Sequence, residues 1–464
     1  MSLTDWEALD AIDLADGVRT KKWSALEITQ AQLARIAQLE PRLQAYVTLT
    51  TERALEQARD IDRIVSSGGE PGPLAGVPLA VKDIYDIAGL ATTAGMSIHR
   101  DSIADRDATV VERLRDAGSI MLGKLTLTEG VYAEHQPPFP APINPWHADY
   151  WSGASSSGSG VAVASGLCRA ALGSETGGSI KLPAAANGVT AIKPTWGRVS
   201  RHGVFELAAT LDHVGPLARS VRDAAALLHV IAGSDPRDPT AAQAPVADYL
   251  AAFDRGVNKL RIGIDPAWIA NGVDAETSAA LDQAVGVLTD LGASIREVVV
   301  PDVSAMIWDW FPICAVQTAR AHAATFPSRR DEYGPALTQL LDMGHALSGI
   351  EYQQLLLRRQ EFRGRLEAMF VDVDVLAIPV LAFPVPSLER IANIDDDLIA
   401  GLHRFTCPFN LSGNPGVILP CGTNKAGLPI VFQLVGRHFE EDRLIAAGGA
   451  YQSATQWHRR RPVD

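Results

Sequence analysis

The sequence predicts an α/β fold: a large mixed, mainly parallel twisted β-sheet covered by helices on both faces. Three observations carry this. From residue 74 onward, short apolar runs alternate with amphipathic segments of helical period. Glycines mark the ends of those segments, and strand alternating with helix is the pattern of a sheet crossed by helices. The 464 residues, 47% apolar and 20% charged, supply ample material for a core.

Residues 3 to about 65 read as helical, with Leu26, Ile28, Leu33 and Ile36 recurring among polar residues up to Ser66-Ser67-Gly68-Gly69. Val77 to Val81 is an apolar strand that ends at Lys82. Asp107 is placed to cap a helix through Val110, Val111 and Leu114; Gly118 stops it, and Ile120-Met121-Leu122 is the next strand. Leu260 to Ile264 reads as a strand, Asp274 to Leu291 as a helix stopped by Gly292, and Val298 to Val300 as another strand. The apolar window Met369 to Val385 is broken by Asp372, Asp374, Pro379 and Pro384, so it reads as buried strand. No stretch approaches the roughly 18 uninterrupted apolar residues of a membrane span.

Forty-one basic against 54 acidic residues give a net charge of −13. Nucleic-acid binding draws on clustered positive charge, and the one dense basic run, His458 to Arg461, reads as a solvated tail. Nucleic acid is therefore not an expected partner. Cys168, Cys314, Cys407 and Cys421 lie far apart, without a C-x-x-C or a histidine at metal spacing. No disulfide framework, metal or cofactor is expected. Met1 to Glu7 lacks the basic and apolar regions of a signal peptide, so the expected compartment is the cytoplasm.

One stretch departs from core composition. Eight of the nine residues Ser152 to Gly160 are Ser or Gly, and an apolar run follows at once. A flexible linker has such a composition. So does a tight loop entering a helix N-terminus, where backbone N–H groups and hydroxyls converge. The entry through Asn144-Pro145-Trp146 and the apolar exit favour the loop. A second loop, Gly173 to Lys181, places Gly177 and Gly178 before Ser179, and successive N–H groups there suit a developing oxyanion. Lys82 completes the set. A lysine buried on an apolar strand is driven towards its neutral form and becomes a usable base, which a serine nucleophile needs.

At this point the sequence resembles the amidase signature family of Ser-Ser-Lys hydrolases. The matching stretches are Pro73 to Asp83, Gly153 to Ser159, Glu175 to Lys181, Gly188 to Thr195, Leu211 to Arg219, Asn410 to Gly416 and Gly427 to Gln433. The 24-residue gap between Ser155 and Ser179 adds specificity. The resemblance implies the amidase signature fold over a single domain, 1–464. Within it, 1–65 is an N-terminal helical region, 70–240 the catalytic core, 240–404 a variable substrate-pocket region and 405–464 a return to the core sheet. A looser seam lies at Gly233 to Pro239. The resemblance also implies Ser179 as nucleophile, Ser155 as the bridging serine after a cis peptide, Lys82 as general base, and the N–H groups of Thr176, Gly177, Gly178 and Ser179 as oxyanion hole.

Two departures stand out. Ala154 and Ser157 replace glycines usual in the family, and Glu175 and Lys181 stand where it usually has Asp and Arg. Glu175 and Lys181 are expected to pair and brace the loop. Trp196 to Gly203 and Gln456 to Pro462 also resemble the ammonia-releasing component of the tRNA-dependent amidotransferases, which hydrolyses glutamine and works with a partner. His403 stands where that component's glutamine-recognising acid is expected, which speaks against glutamine. Tyr132, His135, Trp146, Gly153, Ala154 and Trp310 are the candidate pocket residues, with His213 a further histidine near it. Their character favours a small hydrophobic or aryl amide or carbamate, cleaved by a free-standing monomer or homodimer. The alternatives are a non-catalytic binding relative and the glutaminase component of an amidotransferase complex.

Overall fold

The computed structural model describes residues 9–462. Eleven strands form one sheet: β1 Tyr46–Leu49, β2 Pro78–Lys82, β3 Ile120–Leu125, β4 Ala170–Glu175, β5 Thr190–Lys193, β6 His213–Ala218, β7 Arg261–Ile264, β8 Ser294–Glu297, β9 Val375–Pro379, β10 Gly416–Thr423 and β11 Pro429–Gly436. Their order is β1-β3-β2-β4-β6-β5-β10-β11-β9-β7-β8.

Successive side chains of a strand point to opposite faces, and here both faces are buried. On β2, Leu79 and Val81 enter one apolar cluster and Ala80 the other; on β10, Val417 and Leu419 divide from Ile418 in the same way. The first face is covered by helices Thr109–Asp116, Val221–Ile231, Ala275–Asp290, Ser304–Ala321 and Glu441–Ala454. The second carries Ala25–Leu43, Thr51–Ser66, Ser157–Ala164 and Lys181–Asn187.

The large mixed sheet with helices on both faces is the expected architecture, but its parallel share is smaller than strand–helix alternation implied. Four of the ten neighbouring pairs are parallel: β2 with β3 and β4, and β7 with β8 and β9. The centre, from β4 through β6, β5, β10 and β11 to β9, is antiparallel throughout, and within it β10 and β11 form a hairpin, which two strands joined by a short turn can only close in that sense.

Three local expectations differ. Among the described residues of the N-terminal region, β1 interrupts the helices and pairs with β3; residues 3–8 of the expected helical stretch lie outside the described residues. Asp107 does not cap its helix, which begins after Ala108. Its carboxylate instead accepts the Ala88 N–H and pairs with Arg115. The strand expected at 298–300 is found at Ser294–Glu297, because the Val300 N–H is taken by the Asp265 carboxylate and Val299 is 86% exposed. The seam at 233–239 is tied down: Asp235 accepts hydrogen bonds from the Thr109 and Ser200 hydroxyls.

Candidate active site

Strand β2, buried along its whole length, ends at Lys82 between the parallel neighbours β3 and β4. The residue is fully buried. Its Nζ donates to two hydroxyls, Ser155 Oγ at 2.6 Å and Ser174 Oγ at 3.0 Å. Burial holds the Lys82 ammonium well below the usual lysine range; the charges of Asp212 and Glu175 offset this in part.

Ser155 is also fully buried and follows a cis peptide bond from Ala154. The serine run enters helix Ser157–Ala164, so this segment is a loop and helix start, not a linker. Each serine here has a separate partner. Ser156 Oγ donates to the Ser174 carbonyl and accepts its N–H, Ser159 Oγ donates to the Leu172 carbonyl, and Ser157 Oγ lies 2.9 Å from His135 Nε2. Ser157, where the resemblance implies a glycine, thus supplies a hydroxyl that holds an imidazole. Burial lowers the His135 pKa to about 4, so the ring is neutral. Gly153, at φ +85°, abuts Pro183, and a Cβ there would lie 2.4 Å from the proline Cα.

Ser179 is half-buried at the end of a fully buried segment, Ala170 to Gly178. Its carbonyl accepts the Ser156 N–H at 3.3 Å, which joins the two serine loops. The N–H groups of Thr176, Gly177, Gly178 and Ser179 make no hydrogen bond within the described residues. The next two N–H groups, of Ile180 and Lys181, both donate to Glu175 Oε2 at 3.0 Å. Glu175 thereby caps the helix that follows and closes the loop on itself.

Glu175 and Lys181 form a fully buried ion pair at 3.4 Å, with the Lys181 ammonium 5.6 Å from the Phe409 ring centre. Breaking a buried pair strands its partner charge. Lys181→Met is therefore expected to destabilise the fold by about 3–5 kcal/mol, read from urea unfolding. A loss below about 1 kcal/mol would show that the pair does not brace the loop.

The other candidates divide between the loop and the surrounding core. The Trp146 indole N–H donates to the Asn187 carbonyl, and the ring packs in the second-face cluster. Trp310 is 4% exposed, and its N–H is committed to the Thr176 carbonyl at 2.8 Å. Tyr132 is half-buried after β3, and its backbone carbonyl accepts the Thr128 hydroxyl. His213 Nδ1 faces the carbonyls of Leu211 and Glu175, and burial holds its pKa well below the usual range. His403 is packed between the rings of Trp310 and Phe311, with its pKa lowered by burial to about 4.

Sequence reasoning missed Ser174, Ser156 and Asp212. Asp212 Oδ1 accepts the Thr176 hydroxyl at 2.6 Å, and its carboxylate also takes the N–H groups of Leu207 and Ala208. Burial raises its pKa to about 6. The register Glu175↔His213 on β4 and β6 brings it there, and no spacing along the chain signals that.

The site thus joins a buried lysine on two hydroxyls with a loop of free N–H groups. The sequence profile of the amidase family matches residues 27–445, and the chain belongs to that family. The putative amidase AmiD of Mycobacterium tuberculosis (strain H37Rv) is 46% identical over 458 residues, covering 98% of this chain and 96% of that one. The A-type chain of glutamyl-tRNA(Gln) amidotransferase from Geobacter sp. (strain M21) is 36% identical over 96% of this chain and 97% of its own. The solved peptide amidase PAM, in complex with chymostatin, superposes with a TM-score of 0.88 at 30% identity, covering 99% of this chain and all of that one. The protein is an amide-hydrolysing enzyme of the amidase signature type. No described helix is long and apolar enough to cross a membrane.

Proposed function

We propose that the protein is a serine hydrolase that cleaves the C–N bond of hydrophobic or aryl amides through an acyl-enzyme, with esters and carbamates open to the same chemistry. The observation that carries this reading is the Lys82–Ser155 contact at 2.6 Å, with the lysine driven towards its neutral form. A neutral Lys82 accepts the Ser155 proton as Ser155 takes that of Ser179, and Ser179 Oγ attacks the carbonyl carbon. The N–H groups of residues 176–179 receive the developing oxyanion. The proton returns through Ser155 to the leaving nitrogen, the C–N bond breaks, and water releases the acyl group by the same relay. Asp212, Ser174 and Ser156 hold these groups in register.

The aromatic group of Trp310, Phe311 and His403 supports an apolar substrate. Tyr132 and His135, the latter fixed by Ser157, complete the proposed pocket. The amidotransferase relatives favour a second reading, glutamine hydrolysis in a complex. Neutral, buried His403 offers no charge to a substrate ammonium, and this supports the first. We place the activity in the cytoplasm, in a single-domain chain acting as a monomer or homodimer. A panel of glutamine, short aliphatic amides, anilides and aryl carbamates tests it. Turnover should be fastest on anilides or carbamates; glutamine as the best substrate would overturn the assignment.

Activity should fall towards acid as Lys82 protonates. The carboxylates that face Lys82 are Asp212 and Glu175, and both favour the ammonium. Removing one charge lowers the lysine pKa further, so its neutral form persists to lower pH. Asp212→Asn should move the acid limb of kcat/KM down by about one pH unit and lower the plateau. An unmoved or raised limb would contradict the assignment of Lys82 as base.

A further inference from the structure

The loop that carries the four free N–H groups is held from behind by two side chains distant in sequence. Trp310, on helix Ser304–Ala321, donates its indole N–H to the Thr176 carbonyl at 2.8 Å. Cys407, on helix Cys407–Ser412, donates its thiol to the Gly177 carbonyl at 3.3 Å. In a trans peptide the C=O and the following N–H point in opposite directions. Fixing the Thr176 carbonyl therefore aims the Gly177 N–H away from the indole, and fixing the Gly177 carbonyl aims the Gly178 N–H away from the thiol. Contact is close: a Cβ on Gly177 would lie 2.6 Å from the Trp310 ring, and one on Gly178 3.0 Å from Thr406 Oγ1. Gly178 itself, at φ +147°, sits where other residues are strained.

Trp310 also forms part of an aromatic wall, its ring centre 5.1 Å from Phe311 and 5.8 Å from His403. The ring thus touches the catalytic loop on one side and the proposed substrate wall on the other. We propose that Trp310 and Cys407 are positioning residues that orient the Gly177 and Gly178 N–H groups for the oxyanion, and that Trp310 couples the fit of an apolar substrate to that orientation. This rests on the reading of Ser179 as the acylated residue.

The test compares Trp310→Phe, which keeps an aromatic ring and loses the donor, with Cys407→Ala and Cys407→Ser, which lose and retain one. Each is assayed for kcat and KM on a nitroanilide or nitrophenyl ester and for inhibition by phenylboronic acid. The boronic acid bonds to Ser179 Oγ, the serine proton passes to Ser155 and Lys82, and the tetrahedral adduct places an oxygen in the oxyanion position. Trp310→Phe should lower kcat about tenfold, less than the roughly 10²–10³ lost with a donor itself. KM should stay within about twofold and the boronate Ki should rise by the same factor as kcat falls. Cys407→Ala should lower kcat a few-fold, with Cys407→Ser restoring it. Should Trp310→Phe not fold, the Cys407 pair decides. An unchanged kcat and Ki in folded variants, or a KM that rises while kcat holds, would overturn the proposal. Failure of the serine reading is separate: the wild-type enzyme would ignore boronic acid and Ser179→Ala would keep its rate.

Discussion

Ser179→Ala is expected to lower turnover by at least about 10³-fold while leaving the fold intact. The hydroxyl is the proposed attacking atom, and the loop's other hydroxyls, on Ser174 and Thr176, are committed to Lys82 and Asp212. The change removes one oxygen from a half-buried side chain, and the backbone contact from Ser156 to the Ser179 carbonyl survives. Thermal unfolding should therefore shift by no more than a degree or two, and reaction with a fluorophosphonate should be lost. A variant that retains labelling at wild-type speed would place the nucleophile elsewhere.

Lys82→Ala should cost about 10²–10⁴-fold, the range spanned by a positioned general base. Two hydroxyls lose their shared partner at once, Ser155 and Ser174, and among the described residues the Ser155 hydroxyl has no other side-chain hydrogen-bond partner to take the proton it is proposed to pass on. Because alanine also leaves a void on a strand buried on both faces, Lys82→Met is the cleaner variant: it fills similar space and cannot accept a proton. Both should lose activity to a similar degree, and the residual rate should no longer fall with the lysine's acid limb. If Lys82→Met retains more than about a tenth of the rate, the base is another group.

Much of the fold was legible because it is local. Helix stops at Gly118 and Gly292 and the strands ending at Lys82 and Ile264 are written in adjacent residues. Strand direction is not. Nothing in the chain around Gly416 announces that β10 pairs with Thr190–Lys193, far earlier in the chain. The site divides in the same way. Lys82, Ser155 and Ser179 stand in dense motifs of unusual composition. Ser174 is one serine among many until β2 and β4 pair, and Asp212 reaches Thr176 only through the β4–β6 register. In the sequence Trp310 is a candidate pocket residue with nothing to mark a partner. Only the structure shows that its indole N–H has a specific acceptor 134 residues away.

The place of the β10–β11 hairpin has a consequence for biosynthesis. It lies between β5 and β9 and bridges a six-stranded block to a three-stranded one. During translation both blocks emerge before the hairpin that joins them, so each must wait on the ribosome with an unpaired edge that invites aggregation. Closure demands contacts of very large sequence separation, which slows folding. A chain interrupted near residue 410 would have made Lys82, Ser155 and Ser179 yet lack the centre of its sheet. Proteolysis or chaperone capture of such fragments should therefore end abruptly once residues 416–436 have cleared the exit tunnel.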